Sequence, residues 1–511
     1  MRLYEILRQD GMRRIALRFR VANSVSWLRV ARALLPVLLT VFFGLDVPIS
    51  ANATTRPRYG GTLRIEMRAR VEALDPRELK VEPVVGDATE AAAERLVSLA
   101  YERLVRLDKN GQPQPQLALS WQADAAQKRW EFRLRPGVKF HDGTPLTPAS
   151  VVAALQRQWG NDLLMSVSGD ALVIESKQPQ PDLLERLATG RSYIFTLPRD
   201  GSGIVGTGPF RVAEWQPRQR AVFAANDDHW GGRPFLDMIE VQMGVNLKQQ
   251  FVDFELGKAD LIELAPDQLR RATQDGARIW ASSPVELLAV VFPAEGPTAQ
   301  DARLRQALAL AVDRAAIQNV LLQKQGEVAG GLLPQWLSGY AFLFPAAADV
   351  DRARKLIAES SPAPAPLVLE YDAADPLARA VAERVALDTS QVGLKLQAVA
   401  AGPASQAAGK LRLMRVRLAD LNPRVALSAL ASTLSLGNGN DAEAAVTPEQ
   451  QYAAEKTMVN SYRVFPLVHI PEIYGLSPLL RNWMPTRWGA WRLEDTWLAL
   501  PEPAAPAGAR P

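Results

Sequence analysis

The sequence predicts an α/β chain of more than one domain, and three observations predict it. Its 511 residues, 48% of them apolar, are enough to bury two or three separate cores. Stretches with the period of a strand alternate with stretches with the period of a helix. The third is the run Trp130–Leu155, where strand, turn and capped helix follow one another without a break.

In that run Trp130, Phe132 and Leu134 alternate with charged neighbours, the pattern of a half-buried strand. Pro136-Gly137 turns the chain, and Val138 with Phe140 predicts a second short strand. His141-Asp142-Gly143-Thr144 is a tight turn, because glycine tolerates the positive φ that other residues resist. Thr147 can cap the next helix, with Pro148 at its first position, where a missing N–H is harmless.

Composition excludes several functions. There is no cysteine, hence no disulfide, thiolate metal site, cysteine nucleophile or lipid-anchoring cysteine. The formal net charge is +4, yet residues 1–53 hold eight Arg against three acids. The remainder carries 51 basic against 52 acidic residues, so no nucleic-acid-binding face is expected.

The basic stretch is a leader. Arg13, Arg14, Arg18, Arg20, Arg29 and Arg32 precede the apolar run Ala33–Leu45, and Ala51-Asn52-Ala53 follows. These are the parts of a cleavable secretory signal. The competing reading is a retained anchor, but thirteen residues including Pro36 fall short of the roughly 20 that span a bilayer.

Further along, Tyr59–Ile65 opens the mature fold as a strand. Ala91–Leu107 is expected to be one helix, since Leu96, Val97, Ala100, Leu104 and Val105 share a face. Gly201–Gly206 reads G-x-G-x-x-G, but a turn into a strand follows it rather than a helix, which rejects a phosphate cradle. Leu287–Phe292 is a continuous apolar strand of the kind buried on both faces. Asp313 is a natural helix cap, and helices are expected at Asp351–Ala358 and Ala378–Leu387. Strands are expected at Leu367–Tyr371 and Val392–Leu396.

The pattern W-x-F-x-L-R-x-G-V-x-F-H-D-G-x-P-x-T, filled by Trp130 through Thr147, resembles a signature of one family. This is the bacterial extracellular solute-binding proteins of the peptide, oligopeptide and nickel type, capture subunits of ABC importers. Gly60-Gly61-Thr62-Leu63, Tyr101–Val105, Leu117–Trp121, Gly206–Phe210, Asn226–Trp230, Gly257–Leu261, Arg303–Leu308 and Pro466–Pro471 resemble further family segments. The resemblance implies a periplasmic-binding-protein-like fold: two α/β lobes with a hinge and an extra subdomain in the first lobe. The expected division is a signal peptide at 1–53 and lobe I at 54–285, with an inserted subdomain at about 85–204. Lobe II follows at 286–459, the chain returns to lobe I at 460–500, and 501–511 is a disordered, Pro/Ala-rich tail.

The resemblance also implies a function: capture of a short peptide or similar solute in the periplasm and delivery to an ABC permease in the inner membrane. A monomer without cofactor, metal or catalytic residues is expected. His141, His229 and His469 are isolated, and each is expected to be a satisfied structural histidine. A nickel chelate, haem or oligosaccharide is the alternative ligand, and a periplasmic sensor or chaperone the alternative role.

Four residues are the ligand-binding candidates. Asp420, in Leu418–Pro423, occupies the position of the aspartate that pairs with the ligand's α-ammonium in peptide-binding members. Here the aromatic residues of that pattern are missing, Asn422 replaces its second acid, and Pro423 comes one residue early. Arg417 is either part of the site or the partner of Asp420 in a structural ion pair. Trp336 and Tyr340, in a Gly/Pro-rich loop, suit either a side-chain pocket or the lobe's own core.

Overall fold

The computed structural model describes residues 56–79, 89–160, 163–190, 192–198, 203–296, 301–340, 343, 347–359, 365–401, 409–437 and 439–500. The expected leader and tail lie outside the described residues. From Pro57 on the chain is one unit. Among the described residues no helix is long and apolar enough to cross a membrane.

An eleven-stranded mixed sheet is the spine. Its order is Phe210–Gln216, Arg220–Ala225, Met238–Met243, Thr62–Met67, Leu261–Glu263, Val464–Leu476, Arg278–Val291, Leu411–Arg417, Leu367–Asp372 and Leu396–Ala401. Glu327–Val328 adds to Val464–Leu476 from the side. Leu63, Ile65 and Met67 alternate inward along the first of these strands in sequence. Leu287–Val291, by contrast, is buried without alternation, because the sheet is covered on both faces there.

Two long antiparallel strands, Arg278–Val291 and Val464–Leu476, tie the molecule together. Above and below Pro284 and Pro471, which face each other, they belong to different cores. Leu287–Phe292 and Val464–Ile470 pack in one cluster with the helices Ala302–Ala311, Pro376–Ser390 and Pro423–Thr433. Tyr474 and Leu476 pack in another with Leu63, Leu96, Phe210 and Trp491. The change of core comes at Pro471. The register slips around Pro284 and again opposite Pro466, since proline has no N–H to give the ladder. A side chain fills one gap: the Glu472 N–H donates to Ser282 Oγ at 2.9 Å.

A third cluster joins Phe132, Val138, Phe140, Val151 and Leu155. It lies on a four-stranded sheet ordered Ala118–Ala123, Arg129–Leu134, Ala171–Glu175, Leu164–Ser168. Thr147 caps the helix Pro148–Trp159 as expected, and Ser150 answers with its own hydroxyl. The second strand expected at Val138 and Phe140 is only an isolated bridge between Lys139 and Pro145, because Pro145 cannot extend a ladder.

Two further expectations change. The helix predicted over Ala91–Leu107 ends at Ala100. Leu96 and Val97 serve one cluster while Leu104 and Val105 serve the third, so the chain must turn between them. Glu102-Arg103 becomes a short strand against Tyr193-Ile194. The strand expected at Val392–Leu396 runs from Leu396 to Ala401. The N–H groups of Val392 and Leu394 instead donate to the Thr389 carbonyl, closing the preceding helix.

The end of the Thr89–Ala100 helix explains the glycines that resembled a phosphate loop. Of these, Gly201-Ser202 lies outside the described residues. Gly206 and Gly208 press on the helix end, and a Cβ on Gly208 would lie 2.6 Å from the Leu99 carbonyl oxygen. The Gly208 N–H donates to the Ala100 carbonyl at 3.0 Å. Gly208→Ala should therefore destabilise the fold by about 1–3 kcal/mol, the range for overpacking a dense contact, measured by thermal or urea unfolding. An unchanged midpoint would show that the helix end yields freely.

Candidate functional site

The Leu411–Arg417 strand ends at a turn that builds one wall of a cleft. Asn422 caps the next helix by accepting from the Arg424 N–H at 3.0 Å, and Pro423 takes its first position. The departures from the family pattern are thus a helix start. Asp420 Oδ1 accepts the Asn422 N–H at 2.8 Å. Burial pushes the Asp420 carboxyl up; the backbone N–H groups of Asn422 and Leu421 oppose this, while Glu94 and Asp182 add to it. No cation is paired with it among the described residues.

Arg417 is not its partner. Its Nε donates to Glu472 Oε1 at 3.1 Å, and its Nη2 to the Trp488 carbonyl at 3.0 Å. Arg95 reaches the other Glu472 oxygen and donates from Nε to the Gly489 carbonyl at 3.0 Å. One carboxylate therefore holds two guanidiniums, one from the Thr89–Ala100 helix and one from the Leu411–Arg417 strand. Gly489 passes so close that a Cβ there would lie 2.2 Å from Glu472 Oε2. Burial alone would raise the Glu472 pKa, but Arg95 and Arg417 override it and bring it down to about 2.

Between these walls lies a cavity of about 610 Å³, within the usual range for small-ligand sites. Tyr101, Tyr193, Trp230, Trp488 and Trp491 line it, as do Asp420 and Arg417. The buried Trp491 Nε1 finds no acceptor among the described residues. Glu102, on the same wall, accepts from Trp230 Nε1 at 3.0 Å and Thr207 Oγ1 at 2.9 Å, and His229 Nε2 lies 3.4 Å away. Across one rim Arg424 meets Asp182 at 3.3 Å.

The other two histidines are held by backbone carbonyls: His141 Nε2 lies 3.0 Å from Gly208 O, and His469 Nε2 lies 3.0 Å from Leu332 O. Among the described residues no group of three His, Cys, Asp or Glu is arranged to hold a metal ion.

Trp336 and Tyr340 lie outside this cavity. Trp336 donates its indole N–H to the Pro284 carbonyl at 2.7 Å, beside the proline break in the long strands, with the Arg487 guanidinium 4.6 Å from its ring. The Tyr340 hydroxyl binds the buried Glu455 carboxyl, and its ring stands edge-on to Tyr452. Its Gly/Pro-rich loop packs through Leu332, Leu333 and Trp336 on the cluster of Leu287–Phe292. The chemistry that sequence reasoning missed comes from Glu94, Arg95, Glu472 and the segment Trp488–Arg492. The density of Trp, Gly and Arg in that last segment was the available signal.

Residues 112–419 match the family described as bacterial extracellular solute-binding proteins, family 5 Middle. The chain belongs to this family. It is 27% identical over 339 residues to the nickel-binding periplasmic protein of Escherichia coli, covering 58% of this chain and 64% of that one. It is 25% identical over 277 residues to a probable D,D-dipeptide-binding periplasmic protein of the same organism, covering 47% and 52%. The matches thus span less than two thirds of these curated relatives. A solved dipeptide-binding protein from a Pseudoalteromonas species, in complex with Met-Leu, superposes with a TM-score of 0.72 at 18% identity, covering 86% of this chain and all of that one. The fold is that of the periplasmic binding proteins. In this family 5 chain no residue of the Trp130–Thr147 signature lines the cavity; the signature builds the third core and the helix on it.

Glu472→Gln should cost about 3–5 kcal/mol, the usual loss when a buried ion pair is broken from one side. In the wild type the folded carboxyl titrates below its unfolded value of 4.5, so its contribution is complete above pH 4.5 and is lost as pH falls toward 2. Urea unfolding across that window should show a steeper acid loss in wild type than in Glu472→Gln; parallel curves would contradict the pairing.

Proposed function

We propose that this chain is a periplasmic solute-binding protein that captures short peptides and delivers them to an ABC permease. The carrying observation is the Asp420 carboxylate, set in a cleft wall with burial, Glu94 and Asp182 all opposing its charge and, among the described residues, no cation paired with it. A ligand ammonium would supply that balance, and a charge-assisted bond in a partly desolvated cleft is strong and directional. The dipeptide named in the complex of the structural relative supports the same reading. Export through a leader cleaved after Ala53 would deliver it to the periplasm, the compartment in the names of the two curated relatives.

The lobes proposed are residues 54–285 with the return of the chain, and 286–459. Ligand bridging them favours a closed form, and the permease distinguishes that form from the open one. The nickel-binding relative carries a second reading, a chelated metal held through its chelator.

Asp420→Asn keeps the shape and removes the charge. It should weaken peptide binding by about 2–5 kcal/mol in calorimetry, with little change in melting temperature, and N-acetylated peptides should bind wild type as poorly. An ammonium favours the ionised carboxyl, so binding should weaken as pH falls through the raised Asp420 pKa. Equal affinity for free and acetylated peptides would overturn the anchor.

A further inference from the structure

A second cavity, of about 290 Å³, lies apart from the cleft and shares none of its lining residues. The strand Glu327–Val328, paired with His469 and Val468, runs along one side of it. Gln318 reaches it from the turn Ile317–Leu321, and Leu333, Gln335 and Tyr340 from the Gly/Pro-rich loop. None of the described residues lining it is Lys or Arg.

The polar groups of this cavity are mostly acceptors. Gln318 donates from Nε2 to the Gly326 carbonyl at 2.9 Å, which leaves its Oε1 to accept. The Tyr340 hydroxyl donates to Glu455, so its own oxygen is left to accept as well. Burial pushes the Glu455 carboxyl up, and the negative charge of this wall therefore rests with the half-buried Glu327.

His469 stands behind Glu327. Its ring is 2% exposed, and its Nε2 lies 3.0 Å from the Leu332 carbonyl, which makes that nitrogen the N–H of the ring. Nδ1 is then an acceptor. It finds no hydrogen-bond partner among the described residues and lies 3.6 Å from Glu327 Oε1. Two acceptors thus face each other beside a cavity whose other polar groups also accept. A group that carries positive charge and several N–H donors satisfies them together.

We propose that this cavity binds a small organic ammonium, with its N–H groups on Glu327, Gln318 and Tyr340 and its carbon chain against Val328 and Leu333. The site is independent of Asp420 and of the peptide reading of the cleft. A pocket with apolar walls and a few convergent polar groups is the ordinary form of a small-ligand site.

The probe is n-propylammonium, titrated at pH 7 by ligand-observed NMR, with propionate and 1-propanol as the charge-reversed and neutral controls. Asp420→Asn serves as the parent protein, so that the cleft carboxylate does not compete. Propylammonium should bind with a Kd on the order of a millimolar, ordinary for a ligand of about four heavy atoms, and the two controls far more weakly. Adding Glu327→Gln should weaken the amine about ten- to a hundredfold, the worth of a hydrogen bond to a charged group. A crystal of the parent soaked in propylammonium chloride should place the nitrogen within hydrogen-bond distance of Glu327, which tests the site without that second substitution. A second proton on His469 would let the ring donate to Glu327 and hold its carboxyl down by itself. In that case the parent binds no amine, and the proposal is overturned. Binding that survives Glu327→Gln, equal binding of the neutral or anionic control, or a nitrogen found elsewhere in the soaked crystal would overturn it too.

Discussion

Glu472 takes a guanidinium from each wall of the cleft, and much of the site follows from that one buried carboxylate. Arg417 is the cation nearest to Asp420 in sequence and would be its natural partner. Because Glu472 and the Trp488 carbonyl hold it, Asp420 is left in the cleft without a counterion among the described residues. Arg95, held the same way, carries the Thr89–Ala100 helix against the segment Trp488–Arg492. A buried pair of this kind gives limited net stability, because desolvation offsets most of the attraction, but it fixes geometry. Here it fixes which charges remain free for a ligand.

Glu472 sits one residue past Pro471, where the two long strands pass from one core to the other. Prolines on both strands remove ladder donors at that point, and Ser282 and Trp336 supply hydrogen bonds in their place. Side-chain bonds thus replace ladder bonds where the two strands change core. The clamp at Glu472 lies beside this break in the ladder and ties both cleft walls to one residue.

Much of the fold was legible in the sequence, because strand alternation, helix caps and glycine turns are local signals. Thr147, Asp313 and Gly143 do what their residue types suggest. The helix predicted through Leu107 failed for a tertiary reason: one apolar face was divided between two cores, which periodicity within a single segment does not reveal. The candidate site was legible only in part. Asp420 lies on the cavity, and Arg417 lies beside it but is committed to a residue 55 positions away. Trp336 and Tyr340 have the composition of pocket residues, but Trp336 donates at the strand break and Tyr340 contacts Glu455 and Tyr452.

With the Asp420 carboxylate unpaired among the described residues of one cleft wall, a ligand that balances it and reaches the opposite wall should draw those walls together. Small-angle scattering of the purified protein, with and without saturating free-ended peptides, reads this directly. A smaller radius of gyration in the bound protein is the expected result. An unchanged radius at demonstrated saturation would contradict closure and leave the cleft a rigid pocket.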